Sequence, residues 1–222
     1  MAQPKSILMV VTSHDRIDKD HPTGLWFEEF AVPYGLFRQQ GYDITVASPR
    51  GGAVPIDPRS EPKDRDAPDT RAALAALAGT ARLEAVASKQ YDAIFFPGGH
   101  GTMYDLPDNP EVSRLVGRFA DEGKVVASVC HGPACFVGAR RQDGAPVVQG
   151  KRLTAFTNAE ESAVELDKFM PFLLESRLRD LGARFEVADK WADHVVVDGR
   201  LVTGQNPQSS GSAAREVIRL LS

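Results

Sequence analysis

The sequence predicts an α/β protein in which a mostly parallel sheet is covered by helices on both faces. Two observations lead to this fold class. Short, uninterrupted apolar runs at residues 7–11 and 125–129 are typical of strands buried on both faces. Segments with helical apolar spacing alternate with such runs, as they do where crossover helices connect parallel strands. With 222 residues and no internal repeat, the chain is expected to form one domain, residues 1–222.

The first half of the chain supplies three of the predicted strands and two helices. The strands are residues 7–11, 44–47 and 93–96, and the helices are residues 25–40 and 73–87. The first helix contains Pro33 and ends at Gly41, which is a common residue just beyond a helix. Residues 49–68 hold five prolines and many charges, so we expect a long surface excursion there.

The second half continues the alternation and ends in a hairpin and a helix. Helices are predicted at residues 112–121, 133–139 and 160–181, the last with a break near Pro171, and strands at residues 125–129 and 153–156. Residues 195–197 and 201–203 flank Asp198-Gly199, which predicts a β-hairpin. Asn206-Pro207 is a helix-start pattern for a final helix that reaches Leu221.

The composition excludes several classes of protein. The chain is 42% hydrophobic and 25% charged, which is typical of globular proteins, and its net charge of −4 gives no reason to expect a nucleic acid or an anionic membrane as partner. No apolar run approaches the ~18–20 residues that span a bilayer. The N-terminal residues lack a signal-peptide cleavage pattern, and two cysteines do not make a disulfide framework. We therefore expect a cytoplasmic protein.

Both cysteines lie in one short stretch, VVASVCHGPACF, at residues 125–136. Cys130 stands where a predicted strand ends and a helix begins, which is the position of a nucleophile on a sharp elbow, and a helix N-terminus there would lower the pKa of its thiol. The alternative is a small buried residue. Cys135 lies inside the predicted helix, about 7.5 Å further along its axis and too far for an unstrained disulfide, so we expect it to pack in the core.

A glycine-rich turn follows the strand at residues 93–96. It reads PGGHG at residues 97–101. Glycines allow backbone amides to approach a ligand closely, and an oxyanion needs such donors. The alternative interpretation is a tight turn without a ligand.

Five motifs together resemble a known family. They are CHGP at residues 130–133, PGGHG at 97–101, TGLWFEE at 23–29, FTNAEE at 156–161 and DGRLVTGQNP at 198–207. With these motifs in the family's order along nearly the whole chain, the protein resembles the ThiJ/PfpI superfamily, which is related to the class I glutamine amidotransferases. It is most similar to the stress-chaperone-like branch that includes the glutathione-independent glyoxalase III enzymes.

This resemblance implies a flavodoxin-like three-layer sandwich and a set of site residues. Cys130 matches the nucleophile, His131 the catalytic histidine, and Glu161 the acidic residue that orients it, with Glu160 as the neighbouring alternative. Glu29 matches the active-site glutamate by its position in the motif, whereas helical spacing alone does not choose between Glu28 and Glu29. The substrate-binding residues implied are Gly98, Gly99 and His100.

The function that this resemblance implies is conversion of methylglyoxal and water to lactate without glutathione. The alternatives are a holdase chaperone and a cysteine-dependent hydrolase acting on a peptide, an amide or a glycated adduct. Either Glu29 or His131 would serve as the proton-transfer base. We expect a small aldehyde as the ligand, a homodimer as the assembly, and no cofactor. We also expect no metal, because His14 and His21 alone do not supply the three or four ligands of a zinc site.

Overall fold

A seven-stranded sheet forms the centre of the molecule in this computed structural model, which describes residues 3–222. In chain order the elements are β1 (Ser6–Val10), α1 (Phe27–Gln39), β2 (Asp43–Ser48), α2 (Pro68–Leu77), β3 (Ala81–Arg82), α3 (Leu83–Val86), β4 (Ala93–Phe96), α4 (Thr102–Asp105), α5 (Pro110–Asp121), β5 (Val125–Val129), β6 (Arg152–Leu153), α6 (Asn158–Ala163), α7 (Leu174–Asp180), β7 (Arg184–Phe185), β8 (Val195–Asp198), β9 (Leu201–Gly204) and α8 (Ser210–Leu221).

The strand order across the main sheet is β3-β2-β1-β4-β5-β9-β8. All neighbouring strands are parallel except β8, which pairs antiparallel with β9 through the predicted hairpin. Gly199 sits in its turn with a φ of 63°, a backbone conformation that favours glycine. The predicted α/β class with a mostly parallel sheet is confirmed.

The central strands bury side chains on both faces of the sheet. On β1, Leu8 and Val10 belong to one apolar cluster, whereas Ile7 and Met9 belong to the cluster on the opposite face. Burial on both faces removes any need for polar residues at alternate positions, and this explains why the strand sequences are uninterrupted apolar runs.

Two of the predicted helices are divided in the structure. The segment predicted as one helix at residues 73–87 forms α2 and α3, which are separated by β3. The helix is interrupted because the backbone N–H and the hydroxyl of Thr80 both donate hydrogen bonds to the Gly52 carbonyl oxygen. The segment at residues 160–181 forms α6 and α7, with a longer break than Pro171 alone predicted. Residue Glu165 has a φ of 60° in that break, which ends the helical conformation.

Three shorter predictions also need correction. The expected helix at residues 133–139 is a 3₁₀ helix, Gly132–Phe136. The expected strand at residues 153–156 is reduced to β6, which pairs with β7 in a separate two-stranded sheet. Asn206 does not cap α8 with its side chain; a 3₁₀ helix, Pro207–Ser209, precedes α8 instead. No helix in residues 3–222 is long and apolar enough to cross a membrane.

The carboxyl ends of the four central strands lie along one edge of the sheet, because these strands are parallel. The chain leaves this edge into the loops that begin after Val10, Phe96, Val129 and Gly204. Ligand sites in open parallel sheets form at this edge. The fold therefore brings the PGGHG turn and the Cys130 elbow together.

Candidate active site

Cys130 occupies a sharp turn directly after β5. Its φ is 59°, a left-handed conformation that costs a residue other than glycine of order 1–3 kcal/mol. The backbone around it compensates, since the Cys130 amide donates to Gly204 O at 2.9 Å and its carbonyl accepts from Phe156 N at 2.8 Å. Gly132 allows the turn to pass the end of β4, because a Cβ there would overlap the Phe96 carbonyl oxygen. The predicted elbow geometry is present.

A chain of polar contacts connects the thiol to a carboxylate. Cys130 Sγ lies 3.2 Å from His131 Nδ1, and His131 Nε2 lies 2.6 Å from Glu161 Oε2. Because an ionised carboxylate only accepts hydrogen bonds, His131 Nε2 carries the proton in the neutral ring. Nδ1 is then left to accept the proton of the thiol.

A second histidine shares the same carboxylate. His100 Nε2 donates to Glu161 Oε1 at 2.7 Å, while Arg59 Nη2 donates to His100 Nδ1 at 3.2 Å. The guanidinium has no acceptor, so the Arg59 contact fixes the tautomer of His100. Burial, reinforced by electrostatic repulsion from His131, lowers the pKa of His100 to about 4, and His100 is therefore neutral near pH 7.

Glu161 is ionised although it is buried. Burial by itself would raise its pKa, but electrostatic attraction to His131 and the hydrogen bonds from both imidazoles outweigh that effect and hold the pKa well below its usual range. The residue lies in the first turn of α6. This charge fixes the orientation of both histidine rings, since each ring donates to one oxygen.

Glu160, the sequence alternative to Glu161, is also buried but faces a different set of donors. Its Oε2 accepts from the backbone and hydroxyl of Thr157 and completes the capping box of α6. Its Oε1 accepts from Trp191 N, Gln205 Nε2 and Asn206 Nδ2 at 2.9–3.1 Å. Glu160 therefore connects three segments of the backbone and does not contact the histidines.

Glu29 approaches the thiol from the N-terminal turn of α1. Gly98 N donates to its Oε2 at 2.6 Å, whereas Oε1 is buried without a hydrogen-bond partner among residues 3–222. Burial raises the pKa of Glu29 to about 8, against the opposing influence of Cys130 and the Gly98 amide. The carboxyl is therefore protonated near pH 7. Glu28 is exposed at the mouth of the cleft.

The predicted lowering of the Cys130 pKa is wrong for this site. The thiol is only 4% exposed, and burial raises its pKa well above the usual value, with the Glu29 carboxyl adding to the shift. The elbow leads into a short 3₁₀ helix, so the expected α-helical N-terminus is missing there. Cys135 is fully buried in the core, as predicted.

The first two glycines of the PGGHG turn, Gly98 and Gly99, occupy different positions. The Gly98 amide is taken by Glu29, and Gly98 does not line the cleft, whereas Gly99 and His100 do. Gly99 has a φ of 101°, and a Cβ there would lie 2.5 Å from Trp26 N. Within residues 3–222 the Gly99 amide donates no hydrogen bond, so it is available to a ligand oxygen in the cleft that Gly99 lines.

The thiol opens into a small cleft of about 220 Å³. Its walls are the aromatic side chains of Trp26, Phe156 and Trp191, with Arg59 and Glu28 as the charged residues at its rim. Phe156 also packs against His131, with ring centroids 4.3 Å apart and the ring planes tilted by 34°. The volume and the apolar walls fit a small organic molecule whose reactive carbon reaches Cys130.

The histidines that approach one another are not those considered for a metal. His14 stacks on Tyr104 and His21 pairs with Asp18. Instead, His100, His131 and Glu161 offer ligand atoms that all lie within 4.8 Å of one another. Both imidazoles already donate a proton to the carboxylate, which accounts for the cluster without an ion.

Sequence reasoning missed Arg59 and its partner Asp57, because residues 49–68 looked like a surface excursion. The structure folds part of this segment back as a 3₁₀ helix, Pro58–Ser60, against the cleft. Asp57 is completely buried, caps that helix and accepts from Thr23 Oγ1 at 2.8 Å. The Asp57-Pro58 start signal was readable in the sequence, but no local pattern shows that it faces the thiol.

Comparison with known proteins decides the family. The model of the DJ-1/PfpI family matches residues 26–220. The chain belongs to the DJ-1/PfpI family. In sequence it is 31% identical to glyoxalase 3 of Candida albicans, over 96% of each chain. It is 30% identical to the glutathione-independent glyoxalase HSP31 of Saccharomyces cerevisiae, over 98% of each chain.

Solved structures agree with this assignment of the DJ-1/PfpI fold. The crystal structure of the Candida albicans glyoxalase III superposes with a TM-score of 0.87 at 28% identity, covering 97% of each chain. The Rapid Encystment Protein of 24 kDa from Francisella tularensis superposes with a TM-score of 0.92 at 34% identity, covering 98% of this chain and 99% of that one.

Proposed function

We propose that this member of the DJ-1/PfpI family is a glutathione-independent glyoxalase that converts methylglyoxal and water to lactate. The observation that carries the proposal is the contact series Cys130–His131–Glu161, with Glu29 beside the thiol, at the floor of a small aromatic cleft. Two relatives similar over nearly their whole length bear glyoxalase names. A thiol, an imidazole base, a protonated carboxyl and the Gly99 amide meet the chemical needs of this reaction.

The first step is addition of the Cys130 sulfur to the aldehyde carbon. His131 Nδ1 takes the thiol proton as the carbon–sulfur bond forms, so the high pKa of the resting thiol is overcome by transfer to an adjacent base. The carbonyl electron pair moves to oxygen, where the Gly99 and His131 amides stabilise it until it takes the proton held by His131 Nδ1. The product is a neutral hemithioacetal.

The second step moves a proton from the former aldehyde carbon to its neighbour. A base removes the hydrogen on C1, and its electron pair forms the C1–C2 double bond of an enediol as the ketone oxygen on C2 takes up a proton. Return of a proton to C2 regenerates a carbonyl at C1 and leaves a thioester. Glu29 and His131 both lie beside the sulfur, and we propose that they share this work, with the neutral imidazole of His131 as the base and the protonated carboxyl of Glu29 as the proton donor to the C2 oxygen.

Hydrolysis completes the cycle. Water attacks C1, the carbon–sulfur bond breaks, and lactate leaves with the thiol restored. C1 is oxidised and C2 is reduced within the same molecule, so no external oxidant or reductant is required. The net reaction consumes one methylglyoxal and one water for each lactate.

A lactate assay without any thiol cofactor tests the proposal. Wild-type protein should form lactate from methylglyoxal, and Cys130→Ser should reduce the product to background, while Cys135→Ser serves as the matched thiol control. In heavy water, deuterium at C2 of the lactate would identify proton transfer through a protein base. No lactate above the Cys130→Ser background would contradict the glyoxalase assignment and favour the hydrolase or holdase alternatives.

A further inference from the structure

Arg59 is the cationic residue at the cleft, and the proposed reaction leaves it unused. Its Nε and Nη2 both donate to the carboxylate of Asp57, at 2.9 and 2.7 Å. Asp57 is fully buried, and its pKa stays below the usual range because the Arg59 hydrogen bonds outweigh the effect of burial. This bidentate pairing holds the guanidinium plane in one orientation.

Two neighbouring hydrogens of that plane, one on Nη2 and one on Nη1, face the His100 side of the cleft. Arg59 Nη2 uses its second hydrogen to contact His100 Nδ1 at 3.2 Å. In a planar guanidinium, the neighbouring hydrogen on Nη1 runs parallel to this one. No acceptor within residues 3–222 contacts Nη1, although Arg59 lines the same cleft as Cys130 and packs over Trp26.

The charges around the cleft limit what Nη1 can bind. Asp57 already balances the charge of Arg59, and Glu161 is ionised behind the two imidazoles. Glu28 adds a carboxylate at the mouth. A permanently anionic substrate would meet this excess of negative charge. A neutral molecule with an oxygen that gains charge only during the reaction avoids that repulsion and still benefits from the donor.

We propose that Arg59 is a further catalytic residue whose Nη1 donates a hydrogen bond to the C2 oxygen of a neutral 1,2-dicarbonyl substrate and stabilises the enediolate. This inference rests on the proposed glyoxalase function and narrows its substrate class. The aldehyde oxygen on C1 would face the Gly99 amide while the C2 oxygen faces Arg59. The site would then select 1,2-dicarbonyls over simple aldehydes, which lack the second oxygen.

Propanal is the matched probe, since it differs from methylglyoxal by lacking the C2 oxygen. The experiment measures lactate formation and, separately, how well each aldehyde protects Cys130 from iodoacetamide. The variants are Arg59→Gln and Arg59→Lys, with Arg65→Gln as a control. Arg65 lies in the same segment but is exposed and pairs with Glu61.

In Arg59→Gln, kcat/KM for methylglyoxal should fall by about 10²–10³-fold, as for loss of an oxyanion donor. We define the preference of Cys130 as its protection from iodoacetamide by methylglyoxal relative to that by propanal. This ratio should fall at least about tenfold, while the protection by propanal changes by less than about threefold. Arg59→Lys keeps the charge and the pairing with Asp57, and should also lose at least about tenfold in kcat/KM. Arg65→Gln should match the wild type in every measurement.

The two readouts separate this inference from the glyoxalase assignment. Absence of lactate from the wild type would overturn the assignment, but the aldehyde preference would still test Arg59. Retention of kcat/KM within about threefold in folded Arg59→Gln or Arg59→Lys would overturn the inference. Equal loss of protection by both aldehydes would also overturn it, because Arg59 would then act on the thiol or the fold and not on the C2 oxygen.

Discussion

Glu160 and Glu161 are adjacent and both buried, yet their carboxylates belong to two separate hydrogen-bond networks. Glu161 accepts from His131 and His100, whereas Glu160 accepts from the backbone and side chains of the segments around α6. One residue step along the first turn of a helix rotates a side chain by ~100°, which is enough to send the two carboxylates to different neighbours. Substitution of each residue in turn therefore distinguishes a carboxylate needed for activity, Glu161, from one needed for stability, Glu160.

Glu161→Gln should lower lactate formation strongly while the protein stays folded. A glutamine amide can accept from only one of the two histidines, so His131 loses its fixed tautomer, and we expect kcat to fall by about 10²–10⁴-fold. Steady-state kinetics with a thermal melt of the same sample would measure both effects.

Glu160→Gln should produce the opposite pattern. Its carboxylate serves five donors, and an amide leaves at least one of them unpaired, at a cost of about 1–3 kcal/mol in the free energy of unfolding. Denaturant unfolding measures this loss. If Glu160→Gln lowered kcat as much as Glu161→Gln without destabilising the protein, the assignment of a structural role to Glu160 and a catalytic role to Glu161 would be wrong.

Iodoacetamide should label Cys130 and leave Cys135 unmodified in the folded protein. Cys130 lines the cleft, whereas Cys135 is completely buried in the core. Because burial raises the pKa of Cys130, its labelling rate should increase steadily above neutral pH. Mass mapping after limited treatment locates the label, with Cys130→Ser as the unlabelled control. Preferential labelling of Cys135 would contradict the cleft assignment.

Glu29→Gln should abolish or severely reduce turnover, and Glu28→Gln should not. Glu29 is buried against the thiol and the Gly98 amide, whereas Glu28 is exposed. The amide introduced by Glu29→Gln would still accept the Gly98 hydrogen bond through its oxygen but has no acidic proton to donate to the substrate. Comparison of kcat for the two variants decides the matter, and equal activity of both would remove Glu29 from the proposed mechanism.

Glu29 should also make the protein less stable as the pH rises. Its folded pKa is about 8 and its ordinary value is 4.5, so the folded state holds one more proton between these values. Stability contributed by this protonated carboxyl is full below about pH 4.5 and declines as the pH rises through about 8. The melting temperature of Glu29→Gln should therefore exceed that of the wild type at pH 8.5, with a smaller gap near pH 5.

The control for this effect is Glu28→Gln, whose melting curve should follow the wild-type pH dependence. Melting experiments across that range need no substrate, so the result does not depend on the proposed activity. An identical pH slope in Glu29→Gln and the wild type would show that the carboxyl is ionised in the folded protein.

Removal of metal ions should leave lactate formation unchanged. His100 and His131 use their Nε2 protons on Glu161, and the proposed chemistry runs on the thiol and the protein bases. Activity after dialysis against a chelator, together with metal analysis of protein purified without one, checks this prediction. A loss of activity that added zinc restores would assign the cluster of His100, His131 and Glu161 to a metal.

The sequence by itself determined the fold class and the positions of the principal side chains. Strands that are buried on both faces have continuous apolar sequences. The strands β1, β4 and β5 could therefore be predicted without knowledge of the strands beside them. The elbow at Cys130 was also local, because it needs only a strand end and a small residue beside it. The choice of Glu29 over Glu28 came from the family motif; in the structure Glu29 is buried and Glu28 is exposed.

Tertiary structure decided what no local pattern encodes. The division of residues 73–87 into α2 and α3 depends on pairing of Thr80 with a distant carbonyl. The pKa of Cys130 depends on burial and on Glu29, which is about a hundred residues away in the chain, and these outweigh a helix end that is too short to act. Arg59 reaches the cleft only because the buried carboxylate of Asp57 holds it there. Such electrostatic and positional effects arise from contacts between segments that are distant in the chain. Local patterns in a single sequence predict the segments but not which of them will be in contact.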